Sequence, residues 1–434
     1  MDQFVVPKHS STRAGKIVQR VFRNYPGNLA VRLWNGETLK FGPEEPDATL
    51  IFSHPQLFRD LILFRDPLRL AEAYFQGLLD VEGDLYTVLG LKDHLQSLTL
   101  SAVEKAGFLF RVLFPGQARH ATGRSARSWR ISLSLRLRRT HSKSANRDAI
   151  AYHYDVSNEF YRLWLDGQMI YSCAYFEDSK ESLEQAQCNK LEHICRKLRL
   201  SPGERLLDIG CGWGALICWA ARHHGVQAHG ITLSRRQFDH AQQKIQDEGL
   251  QDRVTVELRD YRDLEGEALF DKIVSVGMFE HVGLKNLPIY FAVAQHLLKP
   301  GGLFLNHGIT NDREGWGKSA GTRFINRYVF PDGELDTVSN VQCVMERSGF
   351  EILDVEALRS HYALTLRHWV RRLEASKAEA LQHVTESVYR IWHLYMAACA
   401  LQFEQGNIGV YQILAANRDG RMAPIPLSRR DLYV

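Results

Sequence analysis

The sequence lacks the features of a membrane-spanning or secreted protein. No uninterrupted apolar run approaches the ~20 residues that cross a bilayer, and residues 1–8 show no basic stretch followed by an apolar one, so we expect no signal peptide. The seven cysteines include no Cys-x-x-Cys pair. An odd number without regular spacing argues against a disulfide framework and a structural zinc site. These absences predict a cytoplasmic protein without a metal.

Acidic residues are absent from the stretch 116–147, which contains nine Arg and Lys residues. The formal net charge of the whole chain is only +4, too small to argue for nucleic acid binding by itself. Three interpretations of the stretch stay open: a solvated linker, a surface for anionic lipid headgroups, or a nucleic acid site. Near an anionic membrane each basic residue contributes about 1 kcal/mol. Its apolar part, 131–137, either lies on a membrane or packs on the next domain.

A chain of 434 residues with 45% hydrophobic and 24% charged residues is long enough for two domains. In the first part, residues 31–41 contain Asn35-Gly36 between two apolar segments, which predicts a β-hairpin. A strand at 49–53 and a helix at 70–79 should follow. Nothing here pairs a nucleophile with a base, so this part should bind or position something. The predicted organisation is a first domain at 1–115, a basic linker at 116–147 and a second domain at 148–434.

Strands and helices alternate in the second domain. Apolar residues at helical spacing in 181–200 predict an amphipathic helix that covers a sheet. Strands are then expected at 205–209, 227–231, 254–258, 271–276 and 302–307, with helices near 215–223, 235–248, 284–298 and 387–403. This rhythm is typical of the α/β class with a doubly wound, Rossmann-like parallel sheet.

A glycine-rich turn follows the first of these strands. Asp208 closes the apolar strand, and Gly210, Gly212 and Gly214 follow in alternation before a helix. Glycines let the backbone turn tightly and approach a ligand where helix N–H groups are free. The spacing is not Gly-x-Gly-x-x-Gly, and no Gly-Lys-Ser/Thr follows, which favours S-adenosylmethionine over NAD or ATP. A structural turn without a ligand is the alternative.

Polar residues also follow the next strands. Many nucleotide sites hold the ribose with an acidic residue after the second strand, but this chain has Thr232, Leu233, Ser234 and Gln237 there. Gln237 can hydrogen-bond a ribose equally well. After the third strand, where an Asp commonly meets an adenine amine, come Asp260 and Tyr261. Helix caps and exposed turns are the alternatives. The carboxyl ends of five consecutive strands, where ligands bind in such sheets, thus carry Asp208, Thr232, Asp260, Glu280 and His307.

Two upstream segments, 151–161 and 169–176, are dense in aromatic residues interleaved with polar ones. Aromatic faces attract cations by about 0.5–2 kcal/mol each, so a lid over an adenosyl group and its sulfonium is one interpretation. Core filling is the other.

The combined motifs resemble the cyclopropane fatty acid synthases, both the membrane-phospholipid enzymes and the mycolic acid cyclopropane synthases. The matching segments are Asp208–Gly214, Thr232–Gln237, Tyr171-Ser-Cys-Ala-Tyr175, Met278-Phe-Glu-His-Val-Gly283 and His361-Tyr-Ala-Leu-Thr-Leu366. The resemblance covers nearly the whole chain and is densest from about 150 to 415. Ala71–Gly77 resembles part of the family's N-terminal lipid-binding domain.

The resemblance implies methyl transfer from S-adenosylmethionine to a cis double bond of unsaturated phospholipid acyl chains. Ring closure then needs a base, which in this family is a bound bicarbonate ion. The pocket residues matched one by one are Cys173, Glu280, His307, Ile309 and Tyr362, and Tyr171 and Ser172 join the donor-binding positions named above. Because an alkene is a weak nucleophile, the sulfonium supplies the driving force and the protein supplies alignment in a dry pocket.

Such a pocket suits bicarbonate chemically. The ion has acceptor oxygens and one donor hydroxyl, so it needs mixed partners. Glu280 can accept from the hydroxyl, while His307, Tyr362 and a backbone N–H near Cys173 can donate. Cys173 is either part of this set or a small apolar filler, and His281 is expected to be a packed neighbour.

The resemblance further implies a homodimer that lies peripherally on the inner face of the membrane, with no nucleic acid partner. Three alternatives stay open: a lipid methyltransferase that stops before ring closure, a lipid-binding module without turnover, and, disfavoured, a small-molecule methyltransferase. The linker 116–147 and the segment 310–316 match nothing in the family, so the presentation of the acyl chain is undetermined.

Overall fold

The computed structural model describes residues 12–55, 57, 67–97, 157–315, 319–330, 333–418 and 425–433. The chain divides into two compact units, one of 1–138 with 386–394 and the other of 139–385 with 395–434. The basic stretch 116–147, the aromatic residues 151–156 and most of the segment after Pro55 lie outside the described residues. Predictions for those parts stay predictions.

The first unit contains a small mixed sheet. The predicted hairpin is confirmed, because β1 pairs antiparallel with β2 around Asn35-Gly36. Helix α2 ends earlier than predicted, since Gly77 has a φ of +70° and β4 begins at Leu79. The sheet order is β2-β1-β3-β4. The elements are α1 Arg13–Val21, β1 Leu29–Arg32, β2 Thr38–Phe41, β3 Ala48–Phe52, α2 Pro67–Phe75, β4 Leu79–Gly83 and α3 Leu85–Ser97.

A buried cation links residues 386–394 to the rest of this unit. Arg390 donates from Nη1 to the carbonyl oxygens of Tyr74 and Leu79, at 3.0 and 3.2 Å. Its guanidinium lies over the Tyr74 ring at 4.9 Å, and the Tyr74 hydroxyl is 3.1 Å from Nδ1 of His393. A buried guanidinium needs such partners because an unsatisfied one would be costly.

The second unit is built on a seven-stranded sheet of order β10-β11-β9-β8-β5-β6-β7. The five strands from β9 to β7 run parallel, which confirms the predicted Rossmann-like class. Two antiparallel strands, β10 and β11, extend the sheet beyond β9 and were not predicted. The strands are β5 Arg205–Ile209, β6 Gln227–Thr232, β7 Val254–Leu258, β8 Phe270–Val276, β9 Leu298–Asn311, β10 Phe350–Ala357 and β11 Ile408–Asn417.

Helices flank this sheet, and side-chain caps define where several of them begin. Ser182 and Ser234 accept from the backbone N–H three residues ahead, which satisfies a donor that the first helical turn leaves free. The helices are α4 Asn158–Arg162, α5 Leu183–Lys197, α6 Ala215–His224, α7 Arg235–Asp247, α8 Leu287–Leu297, α9 Ala320–Tyr328, α10 Val338–Arg347, α11 Arg359–Ala375, α12 Lys377–His383 and α13 Glu386–Glu404. None of the described helices is long and apolar enough to cross a bilayer.

One predicted strand boundary in this unit is wrong. Strand β9 does not end at His307 but continues to Asn311, because β11 pairs with it along that length. His307 therefore lies inside β9, opposite Gln412 of β11 and Val276 at the end of β8. Of the two interpretations left open for the aromatic segments, core filling applies to Phe160 and Tyr161, which are fully buried and pack beside Trp164.

Candidate active site

The glycine-rich turn after β5 depends on glycine at particular positions. Gly210 and Gly214 both have a φ of +88°, a region that side chains disfavour. A Cβ on Gly210 would also lie 2.9 Å from the Met278 side chain. Gly214 is the residue that precedes α6. The turn thus brings backbone close to the strand ends and starts a helix there.

Beside this turn is a first pocket that is partly open to solvent, with about 1100 Å³ of empty space when the open part is included. Most of the predicted donor-binding residues line it: Tyr171, Ser172, Asp208, Gly210, Gly212, Thr232, Leu233, Gln237, Asp260 and Tyr261. Gly214 and Ser234 are not among its lining residues. Gly214 instead sets the start of α6, and the Ser234 hydroxyl accepts from Gln237 N at 3.4 Å. Both therefore shape the pocket through the backbone.

Two opposite charges are buried in the wall of this pocket. Asp208 is 3% exposed, burial raises its pKa to about 7, and no described residue gives its Oδ1 a hydrogen bond. Lys190 on α5 is also 3% exposed. Burial lowers the pKa of Lys190 to about 8, against the opposing influence of Asp166, Cys173 and Asp208. Its ammonium donates to Ser172 Oγ at 3.0 Å.

Hydrogen bonds fix several other polar side chains of the first pocket. Thr232 donates from Oγ1 to Gln237 Oε1 at 2.8 Å, which leaves the Gln237 amide nitrogen as a donor. Asp260 accepts from Arg262 Nε and Nη2 at 2.8 and 2.6 Å. The Asp260 carboxylate is thus already paired, and Arg262 shares the pocket wall with it.

A second pocket, with about 890 Å³ of empty space when its open part is included, adjoins the first. All five predicted catalytic positions line it: Cys173, Glu280, His307, Ile309 and Tyr362. Its remaining wall is mainly apolar and includes Ile325, Phe330, Leu335, Leu366, Phe403, Ile408 and Val410. Tyr171, Ser172, Gly277 and His281 line both pockets. A ligand bound in the first pocket can therefore contact a molecule bound in the second.

Glu280 and His307 both have polar atoms without a partner in this second pocket. Glu280 Oε1 accepts from Ile309 N at 2.7 Å, whereas no described residue bonds its Oε2 or His307 Nε2. Burial raises the pKa of Glu280 to about 7 and lowers that of His307 to about 3. The Gln412 amide lies 3.3 Å from His307 Nδ1. Because the amide nitrogen donates there, the neutral imidazole carries its proton on Nε2.

Cys173 and Tyr362 are both in their neutral forms. Burial raises the pKa of the Cys173 thiol, and its Sγ is 3.3 Å from Ala174 O and 3.7 Å from Leu358 O. Burial also raises the pKa of Tyr362 well above its ordinary value. Cys173 is therefore no thiolate nucleophile, and the Tyr362 hydroxyl stays a donor.

The segment 171–175 is held in place from three sides. The Gln187 side chain donates to Ser172 O at 3.0 Å, and Ala174 N donates to Thr365 Oγ1 at 3.0 Å. Tyr175 stacks on His193 and His361, with ring centroids at 4.2 and 4.9 Å. Residues of this segment line both pockets, so these contacts fix the boundary between them.

Sequence reasoning missed Lys190, Arg262 and Gln412. Lys190 had a usable signal, because it follows Leu183 by seven residues and Ala186 by four, on the buried face of α5. Arg262 lies next to the predicted Tyr261 but resembles an exposed turn residue. Gln412 had no signal, since its role depends on the register between β9 and β11.

Comparisons with known proteins show the family of the chain. The profile described as mycolic acid cyclopropane synthetase matches residues 141–413, and one described as a domain of unknown function matches 16–100. The chain is 42% identical over 410 residues to a probable fatty acid methyltransferase of Pseudomonas putida, covering 93% of this chain and 96% of that one. It is 42% identical over 262 residues to the cyclopropane-fatty-acyl-phospholipid synthase of Escherichia coli K12, and the match covers 60% of this chain and 66% of that one.

A solved structure indicates the same family. The mycolic acid cyclopropane synthase CmaA1, complexed with SAH and CTAB, matches with a TM-score of 0.59 at 35% identity, over 62% of this chain and 98% of that one. The parallel sheet with the glycine-rich turn after β5 defines the class, an S-adenosylmethionine-dependent methyltransferase. Within that class, the chain belongs to the mycolic acid cyclopropane synthetase family. The predicted family and class are confirmed.

Proposed function

We propose that the protein is a cyclopropane fatty acid synthase, which transfers a methylene group from S-adenosylmethionine to the cis double bond of an unsaturated phospholipid acyl chain. The observation that carries this proposal is the second pocket. It combines a mainly apolar wall with two inward polar groups, Glu280 and His307, and it adjoins the pocket of the glycine-rich turn. A small-molecule methyltransferase has no need of such a pocket.

The first pocket holds the donor in this proposal. Gln237, oriented by Thr232, would bind the ribose hydroxyls, and Asp260 would meet the adenine amine. The sulfonium methyl group then points across the segment 171–173 into the second pocket. The alkene attacks this methyl group, the bond from sulfur to the methyl carbon breaks, and S-adenosylhomocysteine leaves. Alignment in a pocket without water is the main contribution of the protein.

A small anion with one hydroxyl fits the second pocket. Glu280 Oε2 and His307 Nε2 are buried and without a described partner. Glu280 Oε2 can accept a hydrogen bond from the hydroxyl of the anion, and His307 Nε2 can donate one to an oxygen of the anion. Bound there, bicarbonate would supply the base that takes a proton from the new methyl group so that the ring closes. Glu280 holds the anion by its hydroxyl, and its own orientation is fixed by Ile309 N.

The other groups orient the same anion. His307 donates from Nε2, because its Nδ1 accepts from Gln412. Tyr362 donates its hydroxyl, and Cys173 contributes through its backbone or as a small filler.

The proposal also assigns roles to the rest of the chain. Residues 1–115 bind lipid, and residues 148–434 perform the transfer. The basic stretch 116–147 would contact anionic headgroups. A cytoplasmic homodimer on the inner membrane face completes the proposal.

One observation favours a second candidate. The Pseudomonas putida relative, matched over 93% of this chain, is described as a probable fatty acid methyltransferase. A lipid methyltransferase that stops before ring closure would use the same donor pocket and the same apolar pocket. After methyl transfer both candidates start from the same carbocation, and they differ in whether loss of a proton closes a ring or leaves an open-chain, methyl-branched or methylene product.

Deuterium retention separates them. A bacterial host without a cyclopropane synthase would express the chain and receive methionine with a fully deuterated methyl group. Ring closure takes one deuteron from the transferred group, so the new fatty acid should keep two. Mass spectrometry of the fatty acids gives this number, and resistance of the product to mild hydrogenation of alkenes distinguishes the ring from a methylene group.

Other outcomes would reject the proposal. Three retained deuterons would identify the methyltransferase that leaves the methyl group intact. No new fatty acid, in cells whose purified protein binds SAH, would favour a lipid-binding module. Cells with an empty vector and cells with the Glu280→Gln variant serve as controls, and both should lack the product.

A further inference from the structure

Lys190 is a buried cation that the proposed chemistry leaves without a task. It lies on α5, lines the first pocket and is absent from the second. An ammonium has three N–H donors, and in the described part of the chain Ser172 Oγ accepts the only hydrogen bond that Lys190 makes. Buried donors without acceptors are costly. A lysine buried in such a place therefore points to an acceptor on a ligand.

Asp208 presents the complementary feature in the same wall. Its carboxylate is buried, and Oδ1 has no hydrogen-bond partner among the described residues. Lys190 and Asp208 do influence each other electrostatically, yet neither is the hydrogen-bond partner of the other. The pocket thus offers one positive and one negative group, and each has unused hydrogen-bonding capacity.

We propose that Lys190 binds the α-carboxylate of the amino-acid end of the sulfonium donor, while Asp208 binds its α-ammonium. This inference rests on the proposed function, because it takes the first pocket as the donor site. A zwitterion is the ligand chemistry that satisfies two separated, opposite charges together. Lys190 is then the residue that selects donors with an intact amino-acid end over adenosyl compounds without a carboxylate.

Ser172 gives this contact a further role. Its hydroxyl accepts from Lys190, and it lines both pockets next to Cys173. A carboxylate drawn towards Lys190 would therefore lie at the boundary of the two pockets and fix how far the sulfonium reaches. The alternative partner for Lys190, the small anion of the second pocket, is disfavoured because Lys190 does not line that pocket.

Ligand binding to the purified full chain tests the assignment. Isothermal titration would compare S-adenosylhomocysteine with its decarboxylated analogue, which keeps the amine, for the wild type and for Lys190→Met. The wild type should prefer the carboxylate ligand by about 10- to 100-fold, as expected for a hydrogen-bonded charge. Lys190→Met should reduce this preference to about twofold or less, mainly by weakening S-adenosylhomocysteine, and Lys190→Arg should keep part of it.

The matched control is Lys197→Met, also a buried lysine of α5 but one whose ammonium pairs with Asp354 at 3.3 Å and with Glu356. That variant should unfold at a lower temperature with the ligand preference unchanged. An equal loss of both ligands in Lys190→Met would mean that Lys190 only supports Ser172, and no loss would mean that it does not meet the ligand. Either result overturns the inference. If the wild type binds neither ligand, the donor site itself is misassigned and the proposed function fails instead.

Discussion

Glu280→Gln should lower product formation by about 10²- to 10⁴-fold, the range for loss of a group that acts in proton transfer. The amide keeps the oxygen that accepts from Ile309 N, so the side chain should stay in place. It replaces Oε2, however, with a donor that cannot hold the hydroxyl of an anionic base. Turnover of unsaturated phospholipid vesicles by the purified variant, with S-adenosylhomocysteine affinity measured beside it, checks this expectation. The affinity should remain within about twofold, since the loss concerns the chemical step.

The same substitution should not destabilise the fold above neutral pH. Burial raises the pKa of Glu280 from 4.5 to about 7, so the folded state disfavours the ionised form. The contribution of this group to the free energy of unfolding therefore decreases as the pH rises from about 4.5 to about 7. At pH 8 the Glu280→Gln variant, whose side chain is neutral, should be as stable as the wild type or more stable. Glu346→Gln, at an exposed position of α10, is the control and should change neither product formation nor the stability of the fold. Full activity in Glu280→Gln would remove Glu280 from the mechanism.

Gly308→Ala should be nearly as damaging, although it adds one methyl group and removes nothing. A Cβ at Gly308 would overlap the Phe279 ring and lie 3.2 Å from Glu280 Oε1. Phe279 is buried, so the ring cannot leave without moving the turn that carries Glu280. Because a displacement of about 1 Å can cost roughly 10²-fold in rate, we expect a loss of about that size. Overpacking should also lower stability by about 1–3 kcal/mol.

Turnover and thermal unfolding of Gly308→Ala separate the two effects. S-adenosylhomocysteine should still bind, because Gly308 lines the second pocket and not the first. The matched control is Gly167→Ala, where an added Cβ meets no atom of the described residues within 4 Å. It should keep wild-type turnover. Unimpaired turnover in Gly308→Ala would mean that the position of Glu280 is not critical.

Much of the site follows from local sequence signals. The glycine spacing after Asp208 fixes a turn whose φ values only glycine tolerates well, and the polar residues after each parallel strand meet at one edge. Glu280 and His307 were expected at strand ends and were also matched by the family motifs, whereas Tyr362 was identified by the family motif alone. The structure places them around one pocket.

The features that sequence reasoning missed depend on tertiary contacts. Lys190 lies at helical spacing from the buried Leu183 and Ala186, but a lysine in an amphipathic helix normally reaches solvent, so the residue type hid the signal of its position. The end of β9 was misplaced because its pairing with β11 joins residues about a hundred positions apart. Phe160 and Tyr161 resemble lid residues in sequence, since an aromatic pattern cannot distinguish a core from a pocket wall.

The central claim is that a sulfonium donor and a small anionic base occupy adjoining pockets around the same alkene. Its most direct test is the dependence of turnover on bicarbonate, measured with the purified chain, S-adenosylmethionine and vesicles of unsaturated phospholipid in buffer freed of carbon dioxide. Depletion should slow ring formation by at least about tenfold, added bicarbonate should restore it with saturation, and S-adenosylhomocysteine affinity should not change. Turnover that is equally fast in depleted and supplemented buffer would contradict the account.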